Sequence, residues 1–327
     1  MNSAGKNVWI IAKKEIHEAF HNRFLLIVTL FMLLASAVAL VTAAIALNTD
    51  VATYNDAKAV LLSLGKSADM IVQPEFYPLR LLRGFIEHIE ILGAVLGVLM
   101  GYQAAATERT HKTLPLLLSR PISKRAILFG KTLGATVILM SGLALIFVAI
   151  GLLVDVTSSV KLTVSDSFRM GIIYLAAVVY SLLFFLIGFL LALHTKKLPN
   201  ALLLGFAVWL MLVLIAPQIG DTLDPDNQVA GGVFKQLHIA KPQEVEILKS
   251  FATYETVRTS IEALSPTKHF ERLSFAVLGI KDMYNGMALS PVLKEKTVDM
   301  YWLAGLLAGL LILLMKMNLN FTLLNKE

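Results

Sequence analysis

The sequence predicts an all-α polytopic membrane protein with six transmembrane helices, and three observations carry that prediction. Of 327 residues, 57% are hydrophobic and only 16% are charged, a ratio that no single water-soluble core of this size can hide. Six apolar runs are each long enough to cross roughly 30 Å of hydrocarbon as a helix. The basic residues, which leave a formal charge of +6, gather in alternate connections, as the positive-inside rule requires of cytoplasmic loops. That distribution speaks for membrane topology rather than for nucleic acid as a partner. With no cysteine in the chain, disulfides, thiolate metal sites and cysteine nucleophiles are excluded.

Residues 1–23 form the first unit. Asn7–Arg23 reads as an interfacial amphipathic helix with Val8, Ile11, Ile16, Ala19 and Phe20 broadly on one side and Lys13, Lys14, His17 and His21 elsewhere. It is expected to lie on the inner membrane surface, the alternative being a basic flank that only fixes orientation. His17 and His21 offer two imidazole ligands, short of the set a zinc site needs, and make a poor metal site.

The spans are predicted at Phe24–Leu47, Phe85–Ala106, Ile127–Val154, Arg169–Leu193, Leu198–Ile219 and Asp299–Met315. Five of them fall within residues 24–219, and the sixth with a cytoplasmic tail occupies 299–327. The first run is too long for a cleaved signal and lacks a small-residue cleavage site, so it is expected to stay as an anchor. With the N-terminus inside, the pieces 1–23, 107–131, 194–199 and the tail from Lys316 carry roughly 14 Lys or Arg against about 4 acids. The other connections are nearly balanced in charge over roughly twice the length, so both termini are expected in the cytoplasm.

The second span holds Gly93, Gly97 and Gly101, a doubled small-xxx-small pattern that lets a neighbouring backbone approach closely. Glu87, His88 and Glu90 interrupt its outer end. They either line an outer vestibule or are solvated charges at a helix end. The segment 220–298 is expected to be extracytoplasmic and helical, with helices at Pro242–Leu264 and Pro266–Ile280. Ile247, Phe251, Tyr254, Val257, Ile261 and Leu264 make an apolar stripe in the first, and Ser265-Pro266 suits the cap and first turn of the second. These helices pack on the membrane, on each other or on a periplasmic partner protein. Asp221–Asn227 lacks the spacing and glycine of a calcium loop and reads as a turn.

Between the second and third spans, the loop 107–131 has more character than a basic connection. Leu114, Leu117 and Leu118 fall at helical spacing, while Glu108, Arg109, Lys112 and Arg120 supply charge, so a short amphipathic helix is expected there. Pro121 disfavours helix at Arg120, and Ser123 suits the cap of the next helix.

These residues are where the chain resembles the permeases of type-two ABC exporters, in particular the NosY-like branch named for multi-copper enzyme maturation. The likeness rests on Glu108-Arg109 with Thr113-Leu114, on Leu117 through Arg125, and on Gly130-Lys131, with support from Ala12 through Ile16, Asn22-Arg23 and Leu264-Ser265-Pro266. Thr110-His111-Lys112 departs from it, standing where many relatives have Glu then Gly. So does the outer segment, which is longer than in the simplest members.

The resemblance implies a permease subunit of the bacterial inner membrane whose loop is a coupling helix seated on a separate ABC ATPase. It implies two copies of that ATPase, which hold the ATP and Mg, and a second permease copy or a homologue. The implied ATPase-coupling residues are Glu108, Arg109, Lys112, Thr113, Leu114, Leu117, Arg120, Lys124 and Arg125, with Lys13, Lys14 and Glu15 on the N-terminal interface helix. The residues read from the second span for helix packing and the pathway are Gly93, Gly97, Gly101, Glu87 and Glu90.

The chain's own residues do not supply the nucleotide site. Gly130-Lys131-Thr132 has Arg125 where a P-loop needs its first glycine, and Gly65-Lys66-Ser67 has Val60 there. An ion-coupled carrier needs titratable groups in mid-membrane, where these spans are nearly free of charge. An intramembrane enzyme needs convergent acid-base or metal groups within the spans, and the His-Glu-x-x-His run of the chain, His17–His21, lies ahead of the first span. An ATP-driven scaffold acting on a periplasmic partner is the remaining alternative, motivated by the long outer segment. Neither cofactor nor metal is expected on this chain.

Overall fold

The computed structural model describes residues 3–21, 23–65, 77–110, 122–223 and 252–316, with a few single positions between 236 and 249. Among the described residues every regular element is helical, and six helices are long and apolar enough to cross a membrane. In lipid only a helix satisfies its own backbone polar groups strand by strand, so an apolar run of this length has no other way to span.

Helix α1 (Ser3–His21) is followed by α2 (Arg23–Ser63). The first span is predicted to stop at Leu47, but α2 runs on to Ser63. Nothing between Asn48 and Ser63 is Pro or Gly, and once a helix is nucleated each further residue adds a hydrogen bond at little cost. Hydroxyls bonded back to carbonyls four residues earlier, Thr49 to Ile45 and Thr53 to Thr49, line this extension. Gly65, at φ 69°, then takes the left-handed conformation that stops it. Asn48 marks the border: its Nδ2 donates to Thr157 O at 2.8 Å, and its Oδ1 accepts from Ser159 N at 2.9 Å.

The second span begins earlier than predicted, at a 3₁₀ turn over Pro78–Leu82. It continues as α3 (Arg83–His88), a π turn at Ile89–Gly93, and α4 (Ala94–Thr110). Helix α5 (Lys124–Thr157) starts on Ser123, whose Oγ accepts from Ala126 N at 3.2 Å, the cap expected from sequence. Helix α6 (Val164–His194) opens with a capping box between Thr163 and Asp166 and forms the centre of the bundle. Tyr180, Phe184, Phe185 and Phe189 on it are fully buried. The fifth span is α7 (Leu198–Trp209), a second π turn at Leu210–Ile215, and α8 (Ala216–Leu223). Asp221–Leu223, expected in a turn, are therefore still helical, and the rest of that stretch lies outside the described residues.

The segment 220–298 contributes α9 (Ala252–Ala263), α10 (Pro266–Val277) and α11 (Leu289–Glu295) before the last span, α12 (Thr297–Lys316). Most of the predicted helix at 242–264 ahead of Ala252 lies outside the described residues. The apolar stripe on its described part is not a buried seam, since Val257 is 48% and Leu264 70% exposed. Ser265 and Pro266 cap and start α10 as expected, and Gly279, at φ 63°, follows its end.

Helix α10 is sunk into the bundle, with Phe270, Leu273, Phe275, Ala276 and Val277 buried in the same apolar cluster as Phe85, Ile146 and Tyr180. Polar side chains fasten it there. Buried Arg169 donates to Val277 O at 2.6 Å and also to Met287 O, holding carbonyls that a helix end leaves without partners. His269 Nδ1 lies 2.7 Å from Asp299 Oδ1, with the imidazole stacked on Trp302.

The two π turns meet α10 at its start. A π turn frees carbonyls from the regular ladder, and here side chains take them up. Tyr180 donates to Glu90 O at 2.7 Å, Trp209 to Ile91 O at 3.3 Å, and Ser265 to Leu212 O at 2.5 Å.

Candidate functional site

The end of α4, where the 107–131 loop leaves the bundle, is where charged side chains from several helices converge. Helix α1 packs along the first turns of α5. Its contact face is Ile11 and Ala12, while Phe20, assigned to the same apolar side, is 74% exposed. A methyl group on Gly130 would sit 2.7 Å from Ile11 Cβ, and one on Gly134 would sit 2.8 Å from Glu15 Cβ. Two glycines four apart therefore let the backbones of α1 and α5 close on each other.

That approach assembles an ion cluster. Glu108 is 3% exposed, and its Oε1 accepts from Lys14 Nζ at 2.8 Å and lies 3.2 Å from Lys131 Nζ. Lys131, 4% exposed, also donates to Glu15 Oε1 at 2.5 Å, and Lys14 reaches Glu18 at 3.4 Å. Burial alone would lower the Lys14 pKa, but the hydrogen bond and charge of Glu108, with Glu18 and Glu15 beside it, raise it above the usual lysine value of 10.5. Its stabilising effect is complete below that value and is lost only as pH rises through the higher folded one. Because Lys131 is held by two carboxylates, the Gly130-Lys131-Thr132 fragment has no free ammonium to offer a phosphate.

Arg109 turns the other way. Its guanidinium donates to Ala192 O and Thr195 O, both at 2.8 Å, and to Lys196 O at 2.7 Å. It thereby binds the carbonyl end of α6, where orphan acceptors and the helix dipole both favour a cation. Arg109→Ala is expected to destabilise the protein by about 1.5–3 kcal/mol, the range for hydrogen bonds to a charged group. It should also speed tryptic cleavage at Lys196–Lys197. Arg109→Lys should recover only part of this, since an ammonium has no rigid fork to spread over three carbonyls.

The sequence-derived residues thus divide. Glu108, Arg109, Lys14 and Glu15 are brought together as an intramolecular clamp around the start of the loop. Lys13 and Arg125 are exposed and Lys124 is half-buried at the start of α5. Lys112, Thr113, Leu114, Leu117 and Arg120 lie outside the described residues.

Gly93, at the end of the π turn, and Gly97 and Gly101 on α4 line the face of the second span that meets α6. Methyl groups there would sit 3.1 Å from Ser181 Oγ, 2.4 Å from Ser181 O and 2.0 Å from Phe185 O, respectively. Gly188 answers from α6, where a methyl would be 2.3 Å from Val98 O. Glu87 is exposed and pairs with Arg83 at 3.0 Å, whereas Glu90 is 8% exposed inside the π turn. Glu90 Oε1, His88 Nδ1 and Ser181 Oγ are buried without a hydrogen-bond partner.

Lys131, Arg169, His269 and Asp299 escaped the sequence reading as structural polar residues. For Lys131 a signal existed, because Gly130 and Gly134 repeat the spacing already noticed in the second span. Among the described residues no group of three or more His, Asp or Glu could hold a metal ion.

No curated protein matches the chain. Residues 9–315 match the family model described as ABC-2 family transporter protein. With nearly the whole bundle inside that match, from the helix carrying Lys14 to the end of the last span, the chain belongs to the ABC-2 family of transporter proteins, the membrane components of ABC transporters.

Proposed function

We propose that the chain is the permease subunit of an ABC exporter of the bacterial inner membrane, driven by a separate ATPase. In this reading the loop 107–131 carries the coupling element, and two ATPase subunits bearing ATP and Mg act on two permease subunits, identical or homologous. Both termini are cytoplasmic, and the branch is the NosY-like one that the loop residues resemble.

The observation that carries the reading is how the loop is tied in. Residue Thr110 ends α4 directly after Glu108 is fastened to α1 and α5 and Arg109 to α6. A push on the loop is therefore delivered to three helices through charge-assisted bonds, not lost in a slack connection. The exposed Lys13 and Arg125 supply charge from which register on the ATPase can be set.

Because the chain has no cysteine, a cysteine placed at Arg120 is unique. Arg120→Cys, purified in mild detergent with its native neighbours, should crosslink to a P-loop ATPase and slow ATP hydrolysis once linked. If no such ATPase accompanies the folded wild-type protein under several mild conditions, the exporter reading fails. If one does but Arg120→Cys never links to it, the loop assignment alone fails.

A further inference from the structure

We propose that the recess enclosed by α1, α2, α4 and α5 binds an amphiphile with a protonated amine headgroup, taken from the inner leaflet. Its place in the inner leaflet and its role as the substrate's point of access rest on the permease reading above; the binding itself does not.

The recess has two parts of opposite chemistry. The larger, 470 Å³, is lined by apolar side chains including Leu30, Leu33, Leu96, Leu145 and Ile146. It opens sideways, with Leu26 63%, Leu30 49% and Leu145 61% exposed. The smaller, 230 Å³, is lined by Glu15, Glu18, Gln103, Thr107 and Lys131. Ala19, Leu25, Met100 and Ile138 line both parts, so the apolar chamber and the polar one adjoin across these four side chains. That is the shape of a molecule with acyl chains at one end and a headgroup at the other, and the larger chamber is of ligand-pocket size.

The charges select the headgroup. Around the polar part three carboxylates, Glu15, Glu18 and Glu108, face two ammoniums, Lys14 and Lys131. One negative charge is left over. Glu15 is taken by Lys131 at 2.5 Å, and Lys14 is held by Glu108 at 2.8 Å, closer than its 3.4 Å to Glu18. Glu18, 49% exposed, is therefore the carboxylate with most capacity for a further cation. An amine beside it completes the balance, while a purely anionic headgroup adds a second uncompensated negative charge in a partly desolvated site.

Gly142 makes the test clean. It lines the apolar chamber, and a methyl group on it would have nothing within 4 Å. The first carbon of a side chain at 142 therefore meets no neighbour, Gly142→Leu extends the rest of it into the chamber, and leucine is the better helix former.

Pyrene-labelled phosphatidylethanolamine, a pyrene-labelled single-chain alkylamine and pyrene-labelled phosphatidylglycerol are titrated against the purified subunit without its ATPase. Both amines are expected to bind at least about tenfold tighter than phosphatidylglycerol. The tighter of the two identifies the source as a bilayer lipid or a free amphiphile. Gly142→Leu should weaken both amines about tenfold, equivalent to losing contact with about two methylenes, at an unchanged or higher unfolding temperature. Glu18→Gln should leave binding but erase the headgroup preference.

Equal binding of phosphatidylglycerol, or unchanged amine binding by folded Gly142→Leu, overturns the proposal. So does a Gly142→Leu protein that changes its oligomeric state without losing the probe, because then a second copy fills the recess. If amines bind but no ATPase is ever found, the permease reading fails and the site stands. If ATPase coupling holds and the amines do not bind, the reverse is true.

Discussion

Lys131→Met should unfold at far lower denaturant concentration than any exposed substitution, with a loss of about 3–5 kcal/mol. The methionine occupies a similar volume, so the loss is electrostatic. Lys131 is the ammonium that Glu15 meets at 2.5 Å and Glu108 at 3.2 Å, both with little access to water. Without it, two buried carboxylates share Lys14, which is itself 43% exposed. Removing one partner of a buried set is costly because the others stay charged in a poor solvent for charge.

The measurement is equilibrium unfolding in matched detergent, read from the helix signal in circular dichroism. A double variant, Lys131→Met with Glu15→Gln, should recover part of the loss, since it removes the charge left stranded. A loss under about 1 kcal/mol, the value for exposed pairs, would mean the cluster is hydrated and cannot brace the loop.

Gly101→Leu is expected to have the next largest effect, by opposing the closest helix contact in the molecule's centre. A first side-chain carbon on Gly101 falls 2.0 Å from Phe185 O and 2.6 Å from Phe189 N. These are backbone atoms, so no rotamer change relieves the overlap and α4 and α6 must part. Overpacking of a fitted core costs about 1–3 kcal/mol, and a rigid obstacle of this kind belongs at or beyond the upper end. Even Gly101→Ala should be harmful. By contrast, Gly309→Ala meets nothing within 4 Å and should be neutral or stabilise by up to about 1 kcal/mol through helix propensity. If both alanine variants unfold alike, helix propensity governs these positions and the close approach does not.

The spans are legible because long apolar runs have only one solution in lipid, and Ser123, Ser265 and Pro266 are legible because capping is local chemistry. Their limits are less so. Composition marks where α2 leaves hydrocarbon, near Asn48, but not where its hydrogen-bond ladder stops, at Ser63. The π turns are silent in sequence, since Ile89-Glu90-Ile91-Leu92-Gly93 reads as ordinary helix, and only Tyr180 from another helix makes use of the freed carbonyl of Glu90.

The clamp is half legible. Glu108 and Arg109 stand out as a charged pair in an apolar neighbourhood, yet whether they face water depends on distant partners. Lys14 lies 94 positions away from Glu108, and the carbonyl of Ala192 lies 83 from Arg109. Amphipathic patterning weighs only local neighbours, so it assigns both to a cytoplasmic face when their side chains are turned into the bundle.

The length of α2 has a mechanical meaning. Its 41 residues make a rod about 62 Å long at about 1.5 Å per residue, roughly double the thickness of the hydrocarbon it crosses. Its start lies beside α1, and Asn48 ties its middle to the α5–α6 connection. With that tie as pivot, the stretch from Asn48 to Ser63 is an arm about 22 Å long, and a tilt of about 10° displaces Ser63 by about 4 Å. Such a tilt leaves the glycine contact of α4 on α6 where it is, so the far end of α2 is free to move as an arm whose fulcrum is Asn48.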